Sequence, residues 1–579
     1  MSDKNGVLYA GTLTELKNKG HLVVSGSVPI AVFYNDGEVR AIDNRCPHMG
    51  FPMHQGTVQD GIVTCHWHHA RFDLNSGCTF DLWADDLDAY PVEVRNGDVY
   101  VHTEKGKRNG VEHGKRRLLE GMQQNLRLVI AKSVVNLLHA KVSPNEIAQI
   151  GGLYGVRNRR AGWSSGLTIL TAMANVTDHL KDDERIAPLY QGLVHVARDC
   201  ANQPPKFDLF PLETEEVNLS TLKRWFRNFV EVRDPDGAER CLLTAIQKGA
   251  SDADLSDLMG SAVTDHLYLD GGHTLDFLNK AFELLDRIGW THAADVLPSM
   301  VRQICGARRA EEINTWRHPI DLVPLLKEAF DALPDLLKKG NGKTWAQPNG
   351  FVETVLNDDP QTTVNALSDA ITNGATPVEL ARVVAYAAAL RIARFHVQNE
   401  FSDWIAVLHT FTYANGLHQL LKRSPSIDLL RGVFHGALRI YLDRFLNIPP
   451  ARLPKANGKM VNGTFQTDFL NLLNNQQQTD EAGQQVFDYL TSGNDPHHLF
   501  RTLSESLLRE DAEFHSFQML EAAIRQFGET DRADEQRLIM VAAARYLAAH
   551  APTQREMRQT MRIALRLHRG EPVYEEEAG

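Results

Sequence analysis

No apolar run of membrane-spanning length occurs anywhere in the 579 residues, so no transmembrane helix is expected. Met1 to Val7 is polar, which predicts neither a signal peptide nor an anchor. Cysteine is scarce: six residues are too few for a disulfide framework in a chain of this length. That scarcity suits a reducing compartment, and the cytoplasm is the expected location. Basic residues are outnumbered, 61 Lys and Arg against 73 Asp and Glu, and the net charge of −12 makes nucleic acid an unexpected partner, because phosphate binding wants a basic face. No glycine-rich phosphate loop follows a strand and no dinucleotide fingerprint occurs, so nicotinamide and flavin are expected on a separate reductase. A ferritin-like di-iron bundle needs Glu-x-x-His on two helices, and no such pair is found. The composition that remains, 43% apolar and 23% charged, is that of a globular protein, and the length exceeds a single ordinary domain.

Against this background one stretch carries chemistry. Cys46-Pro47-His48 is followed, after sixteen residues, by Cys65-His66-Trp67-His68. Each short loop offers one thiolate and at least one imidazole. A zinc site uses the same ligand types, but zinc fingers normally set their two cysteines close together and their histidines on a helix. One cysteine and one histidine per loop suits a [2Fe-2S] centre in which Cys46 and Cys65 hold one iron and His48 and His68 the other. Together with Gly50, Gly56, the His69-Ala70-Arg71-Phe72-Asp73 run and the segment Tyr90 to Val101, these residues closely resemble the Rieske family over about residues 5–104. The resemblance implies a ferredoxin-type electron carrier. Phe51 and Trp67 stand where respiratory members carry an additional cysteine pair, Cys78 has no obvious mate, and Ala70 stands where high-potential members place a serine. Fewer hydrogen bonds to sulfur imply a potential toward the low end of the Rieske range.

The fold expected is a small antiparallel all-β domain followed by a large all-α domain built of helical repeats. Leu22–Ser25, Ile30–Tyr34 and Val39–Ile42 alternate as strands do, the last two joined by the turn Asn35-Asp36-Gly37, so both ligand loops should be hairpin tips. The expected boundaries are a Rieske domain over 1–104, a basic polar linker over 105–117, a helical domain over 118–570 that houses the catalytic site, and an acidic tail over 571–579.

The helical part repeats a pattern. Ser143 to Glu146, Ser251 to Asp254 and Thr376 to Glu379 read as capping boxes. Each precedes a helical stretch with an asparagine, Asn175, Asn279 or Asn415, and then Gly-x-x-His-x-Ala around His195, His292 or His435. A weaker fourth copy starts at Asp495-Pro496, with Glu521 in place of the asparagine and Val541 in place of the histidine. Six residues before the aligned position stand His273, His409 and His515. Stacked helix units share a core, so an α-solenoid or a closed α-array is expected. Equivalent positions can converge on the axis of such an array, which makes His409, His435, His273, His292 and His195 the candidate catalytic residues and leaves room for an additional iron. Asp265, Asp270, Glu400 and Asp443 are the nearest carboxylates in sequence. The competing reading of Gly-x-x-His is helix packing, with glycine for close approach. The 2-His-1-carboxylate site of Rieske ring-hydroxylating oxygenases finds its nearest match in His266 and His273 with Asp265 and Asp270, but the spacing departs from that family and its catalytic domain is not all α. The motifs His409 to Ala414 and Gly432 to Ala437 faintly resemble questin-oxidase-like proteins. Arg157, Arg159 and Arg160 form a basic, aromatic segment suited to an anionic or quinone-like substrate or to the acidic face of a reductase.

Tethering a one-electron carrier to a large domain raises the effective concentration of donor at acceptor. The expected function is an oxidoreductase that takes electrons from an external reductase or ferredoxin and uses them, with O2, on a small organic substrate; a homo-oligomer is compatible with the sequence. The alternative is an electron-transfer protein whose helical array is a scaffold for a partner oxygenase or reductase, or a redox sensor.

Overall fold

The computed structural model describes residues 6–26, 28–103, 110–456, 458, 461, 463–571 and 573. The chain forms two compact units, residues 1–150 with 556–579, and residues 151–555.

The first unit begins with ten strands in three antiparallel sheets: β1 (Val7–Thr12), β10 (Asp98–His102) and β9 (Val92–Arg95); β2 (His21–Ser25), β3 (Pro29–Asn35), β4 (Glu38–Asp43) and β8 (Ala89–Tyr90); and β5 (Thr57–Gln59), β6 (Ile62–Thr64) and β7 (Arg71–Asp73). The turn between β3 and β4 has positive φ at Asp36 and Gly37, as a tight hairpin turn requires. Strand β3 is buried on both faces rather than alternating: Ile30 and Val32 join the core around Leu16, Leu22 and Val99, while Ala31 and Phe33 join the core around Cys46, Cys65 and Phe72. One strand thus ties the base of the domain to the part that carries the ligand loops.

Besides the short helix Leu13–Lys19 between β1 and β2, this unit holds the helices Val111–Gln123, Arg127–His139, the start of Pro144–Arg157 and, from a distant part of the chain, Glu556–His568, which packs on Arg127–His139. The boundaries therefore differ from those expected. Residues 105–109 of the expected linker lie outside the described residues, but 111–117 are helical, because Arg117, Leu118 and Met122 turn one face of that helix inward. Of the acidic tail, 571 and 573 alone are described.

The second unit is all helical. The capping signals form: Ser251 with Asp254 and Thr376 with Glu379 make complete capping boxes, and Asp495 caps the helix Pro496–Leu508. Four helices close a ring at its centre. Ser165–Val176 packs on His273–Ile288 and on Phe514–Phe527, and Phe401–Arg423 packs on the same two. They are the segments matched on Asn175, Asn279, Asn415 and Glu521, and these four close on one another. No helix among the described residues is long and apolar enough to cross a membrane.

Candidate metal centres

The two ligand loops have one shape. Residues 46–51 are closed by an antiparallel bridge between Arg45 and Pro52, and residues 65–70 by the pairing of Thr64 with Arg71. Within each loop the cysteine N–H donates to the carbonyl five residues on, Cys46 to Phe51 at 2.8 Å and Cys65 to Ala70 at 2.9 Å. The cysteine carbonyl accepts from the N–H four residues on, Gly50 at 2.7 Å and His69 at 3.0 Å. That fourth residue must be left-handed to turn the chain back, and φ is 86° at Gly50 and 63° at His69.

This shape turns backbone N–H groups onto sulfur. Those of His48 and Met49 are directed at the Cys46 thiol, and those of Trp67 and His68 at Cys65. Both cysteines are buried and free of disulfides. Their side chains hydrogen-bond each other, which pushes the Cys65 thiol down to about 6 and, with burial, pushes that of Cys46 up. On the other side of the loops the rings of His48 and His68 lie 4.6 Å apart, edge to face. Burial lowers His48 to about 4, so its imidazole is neutral, and its Nδ1 is buried without a hydrogen-bond partner.

The donor set fits a [2Fe-2S] cluster better than a single zinc. Around one tetrahedral zinc with bonds of about 2.0–2.3 Å, all four donor atoms would crowd within about 4 Å of one another. Cys46, His48, Cys65 and His68 do not form such a group; they form a sulfur pair and an imidazole pair. Where respiratory members carry their additional cysteines, the rings of Phe51 and Trp67 lie 6.3 Å apart and tilted to one another. Ala70, fully buried, offers no hydroxyl.

What braces these loops has no local motif. Lys132, on the helix Arg127–His139, donates to the Pro47 carbonyl at 2.5 Å and pairs with Asp85. Asp85 also pairs with Arg117 at 3.1 Å, and Arg117 donates to the carbonyls of Leu82 and Ala84. The two cations hold the Asp85 carboxyl below the usual range although it is buried. Trp83 in turn lies 4.8 Å from the ring of His48.

The second unit holds another gathering of donors. One ring nitrogen each of His273, His409 and His515 lies within 4.8 Å of the others, the one such group of three metal-binding side chains among the described residues. Nε2 of His409 is 2.9 Å from Nε2 of His515, and Nδ1 of His515 faces the Glu513 carboxylate at 2.6 Å. Glu513 is the N-cap of its helix and also takes the N–H groups of His515 and Ser516. A carboxylate on the far nitrogen of an imidazole fixes the tautomer and aims the other lone pair inward. Burial, then the neighbouring imidazoles, lower His273 to about 4 and His409 to about 2, and Nδ1 of His273 is buried without a partner. In the fourth ring helix the corresponding position, six residues before Asn175, is Ile169.

His273 and His515 open onto a cavity of about 590 Å³ whose wall includes Arg159, Trp163, Asp270, Phe277, Arg302 and Phe514. The strain of the preceding turn positions His273: φ is positive at Tyr268, Asp270, Gly271 and Gly272, and a Cβ on Gly272 would meet the Tyr268 hydroxyl at 2.9 Å.

The other candidates lie elsewhere. His195 pairs with Arg198 at 2.7 Å, His292 lies 3.5 Å from Asp295, and His435 is fully buried, 3.4 Å from the Tyr413 hydroxyl. Their glycines serve helix packing in two cases: a Cβ on Gly192 would fall 2.8 Å from Leu170, and one on Gly432 2.8 Å from Leu417. His266 is taken by Glu231 and Glu311, both at 2.8 Å, and Asp265 by Arg227 and Arg431. Asp443 pairs with Arg439 and Thr410, and Glu400 caps its own helix. Of the three arginines, Arg159 alone lines the cavity; Arg157 pairs with Asp295 and Arg160 lies over Phe207.

The aligned asparagines serve a different purpose. Asn175 donates to Glu283 and Glu521 at 2.8 and 2.9 Å, Asn279 donates to Glu283 at 2.8 Å, and buried Lys280 bridges the same two carboxylates at 2.7 and 2.6 Å. Asn415 stands apart, accepting from Gln526.

Similarities to known proteins fall on the β domain. The Rieske [2Fe-2S] domain family matches residues 7–91. The 3-phenylpropionate/cinnamic acid dioxygenase ferredoxin subunit of Photorhabdus laumondii is 38% identical over 96 residues, 16% of this chain and 91% of that protein. Its counterpart in Escherichia coli is 35% identical over the same shares. Among solved structures, the Sphingomonas yanoikuyae B1 ferredoxin is 26% identical over 16% of this chain and 96% of its own, with a TM-score of 0.16. With its paired cysteines, paired histidines and matching loops, the chain belongs through residues 7–91 to the Rieske [2Fe-2S] family, a domain that implies a [2Fe-2S] cluster.

Proposed function

We propose that the chain is an oxidoreductase whose Rieske domain passes electrons to the helical unit, which uses them with O2 on a small organic substrate. Cys46 and Cys65 hold one iron of the cluster and His48 and His68 the other, and the cluster supplies electrons one at a time. The relatives named above are ferredoxin subunits of dioxygenase systems, which supports an external reductase as the donor.

The observation that carries the reading for the helical unit is the convergence of His273, His409 and His515 beside a cavity. Imidazole ligation suits iron, copper, nickel or zinc, and the company of a one-electron carrier favours iron, which would supply open positions for O2. Glu513 orients His515, while burial keeps His273 and His409 unprotonated and able to bind. His195, His292 and His435 have packing roles in this reading. A scaffold would present a long exposed concave face with scattered histidines; here three half-buried imidazoles gather beside one cavity, which supports the enzyme reading.

Iron and acid-labile sulfide per chain, with EPR of the dithionite-reduced protein, test the proposal. A reproducible iron beyond the two of the cluster, lost in His409→Ala while the Rieske signal stays, supports it. Two irons and two sulfides with nothing further, and O2 uptake unchanged in His409→Ala, would leave the helical unit without a catalytic metal.

A further inference from the structure

The wall of the cavity is chemically divided. Phe277 and Phe514 meet edge to face at 5.7 Å, and Trp163 beside them is fixed by its Nε1–H, which donates to Thr168 at 2.8 Å. Set among these rings are two guanidinium groups against one carboxylate. Arg159 is braced by its own loop: Nη1 donates to the carbonyls of Gly162 and Trp163 at 2.8 and 3.1 Å. The close approach of Gly162 to the Ser299 carbonyl, which leaves no room for a Cβ, holds that loop in place. The other N–H groups of Arg159 have no protein partner among the described residues. Arg302 gives one Nη2 bond to the exposed Asp236 at 3.1 Å. The single acid, Asp270, is already held by the Arg308 N–H at 2.8 Å. A braced guanidinium with free donors, beside aromatic rings in a volume within the usual range of small-molecule sites of about 300–1,000 Å³, suits a flat anion.

We propose that this cavity binds an aromatic carboxylate, its ring against Phe277 and Phe514 and its carboxylate on Arg159 and Arg302. The inference rests on the reading of the cavity as the substrate site, and it names the substrate class. A ring held there lies beside His273 and His515, which adjoin Phe277 and Phe514, while its charged end is held by the arginines.

The test needs neither electrons nor O2, so it stands or falls separately from the redox reading. The full-length protein is titrated calorimetrically with 2-naphthoate and with the neutral isostere 2-naphthamide. Naphthoate should bind at least tenfold more tightly than the amide. Arg159→Gln should weaken naphthoate at least tenfold with little effect on the amide, and Arg302→Gln should weaken it severalfold. Arg160→Gln, whose parent side chain lies on Phe207 instead, should change nothing, and circular dichroism melts of each variant report folding. Equal binding of acid and amide, no binding of either, or unchanged naphthoate affinity in a folded Arg159→Gln protein would overturn the proposal.

Discussion

Nε2 of His409 and Nε2 of His515 face each other at 2.9 Å, although the two residues are 106 apart in the chain. Two nitrogens bound at right angles to one metal, with bonds of about 2.0–2.1 Å, stand about 2.9 Å apart. A plain N–H···N hydrogen bond has the same length, so metal content decides between them. Glu513 is the lever: as the carboxylate behind His515 it raises the basicity of the ligand without touching the metal. Glu513→Gln should weaken metal retention about 10–100-fold, read by competition with a chelator, and leave the Rieske EPR signal unchanged.

Lys132 places an ammonium group on the carbonyl of Pro47, between Cys46 and His48. Positive charge there favours the reduced, more negative cluster. Lys132→Met should lower the midpoint potential by on the order of tens of millivolts, with Asp85 moderating the effect in the parent protein. Redox titration followed by EPR measures it.

Lys280 is the single ammonium between the buried carboxylates of Glu283 and Glu521. Removing one partner of a buried ion set strands the others. Lys280→Met should cost about 3–5 kcal/mol in the helical transition of a denaturant titration. A loss below about 1 kcal/mol would mean that solvent reaches the carboxylates.

Asp276 is almost wholly buried, and burial raises its carboxyl to about 7. Below the ordinary aspartate value both the folded and the unfolded chain are protonated there, and Asp276 costs nothing. As pH rises toward 7 the unfolded chain releases its proton while the folded chain keeps it, so stability falls, and it levels off above 7. The whole decline amounts to at most about 4 kcal/mol, with the opposing effect of the Lys280 ammonium already included. Asp276→Asn, which still accepts from Gln518, should therefore stabilise the protein more at pH 8 than at pH 5 in thermal melts.

The Rieske loops were legible because their chemistry is local: six residues closed by one bridge, with the ligand types inside. The hairpin tips, the turn at Asp36 and Gly37, and the caps at Ser251 and Thr376 were legible for the same reason. The histidines were partly so. Placing His273, His409 and His515 at one offset before the aligned position put the three that meet into one set, yet only His273 and His409 stood among the candidate catalytic residues, and His515 did not. The same reasoning failed to separate them from His195, His292 and His435, since Gly-x-x-His serves helix packing equally well. Lys132 and Asp85 had no sequence signal at all: their partnership with the Pro47 loop is tertiary. Glu513 did have one, an acid at the start of a helix two residues before a histidine.

The helix Glu556–His568 belongs with the β domain that opens the chain, and a Cβ on Gly50 of the first ligand loop would lie 3.7 Å from Leu567. Synthesis runs the other way. At about 5–20 residues per second the ribosome delivers this helix roughly 20–90 s after β10, with the whole of residues 151–555 made in between. During that interval the nascent strands and ligand loops are outside the tunnel, open to iron and sulfur donors, without the helix that later rests on Gly50. The β domain is thus completed only after the helical unit has been made, and a chain released by a nonsense codon before residue 556 would retain all four cluster ligands yet lack that helix.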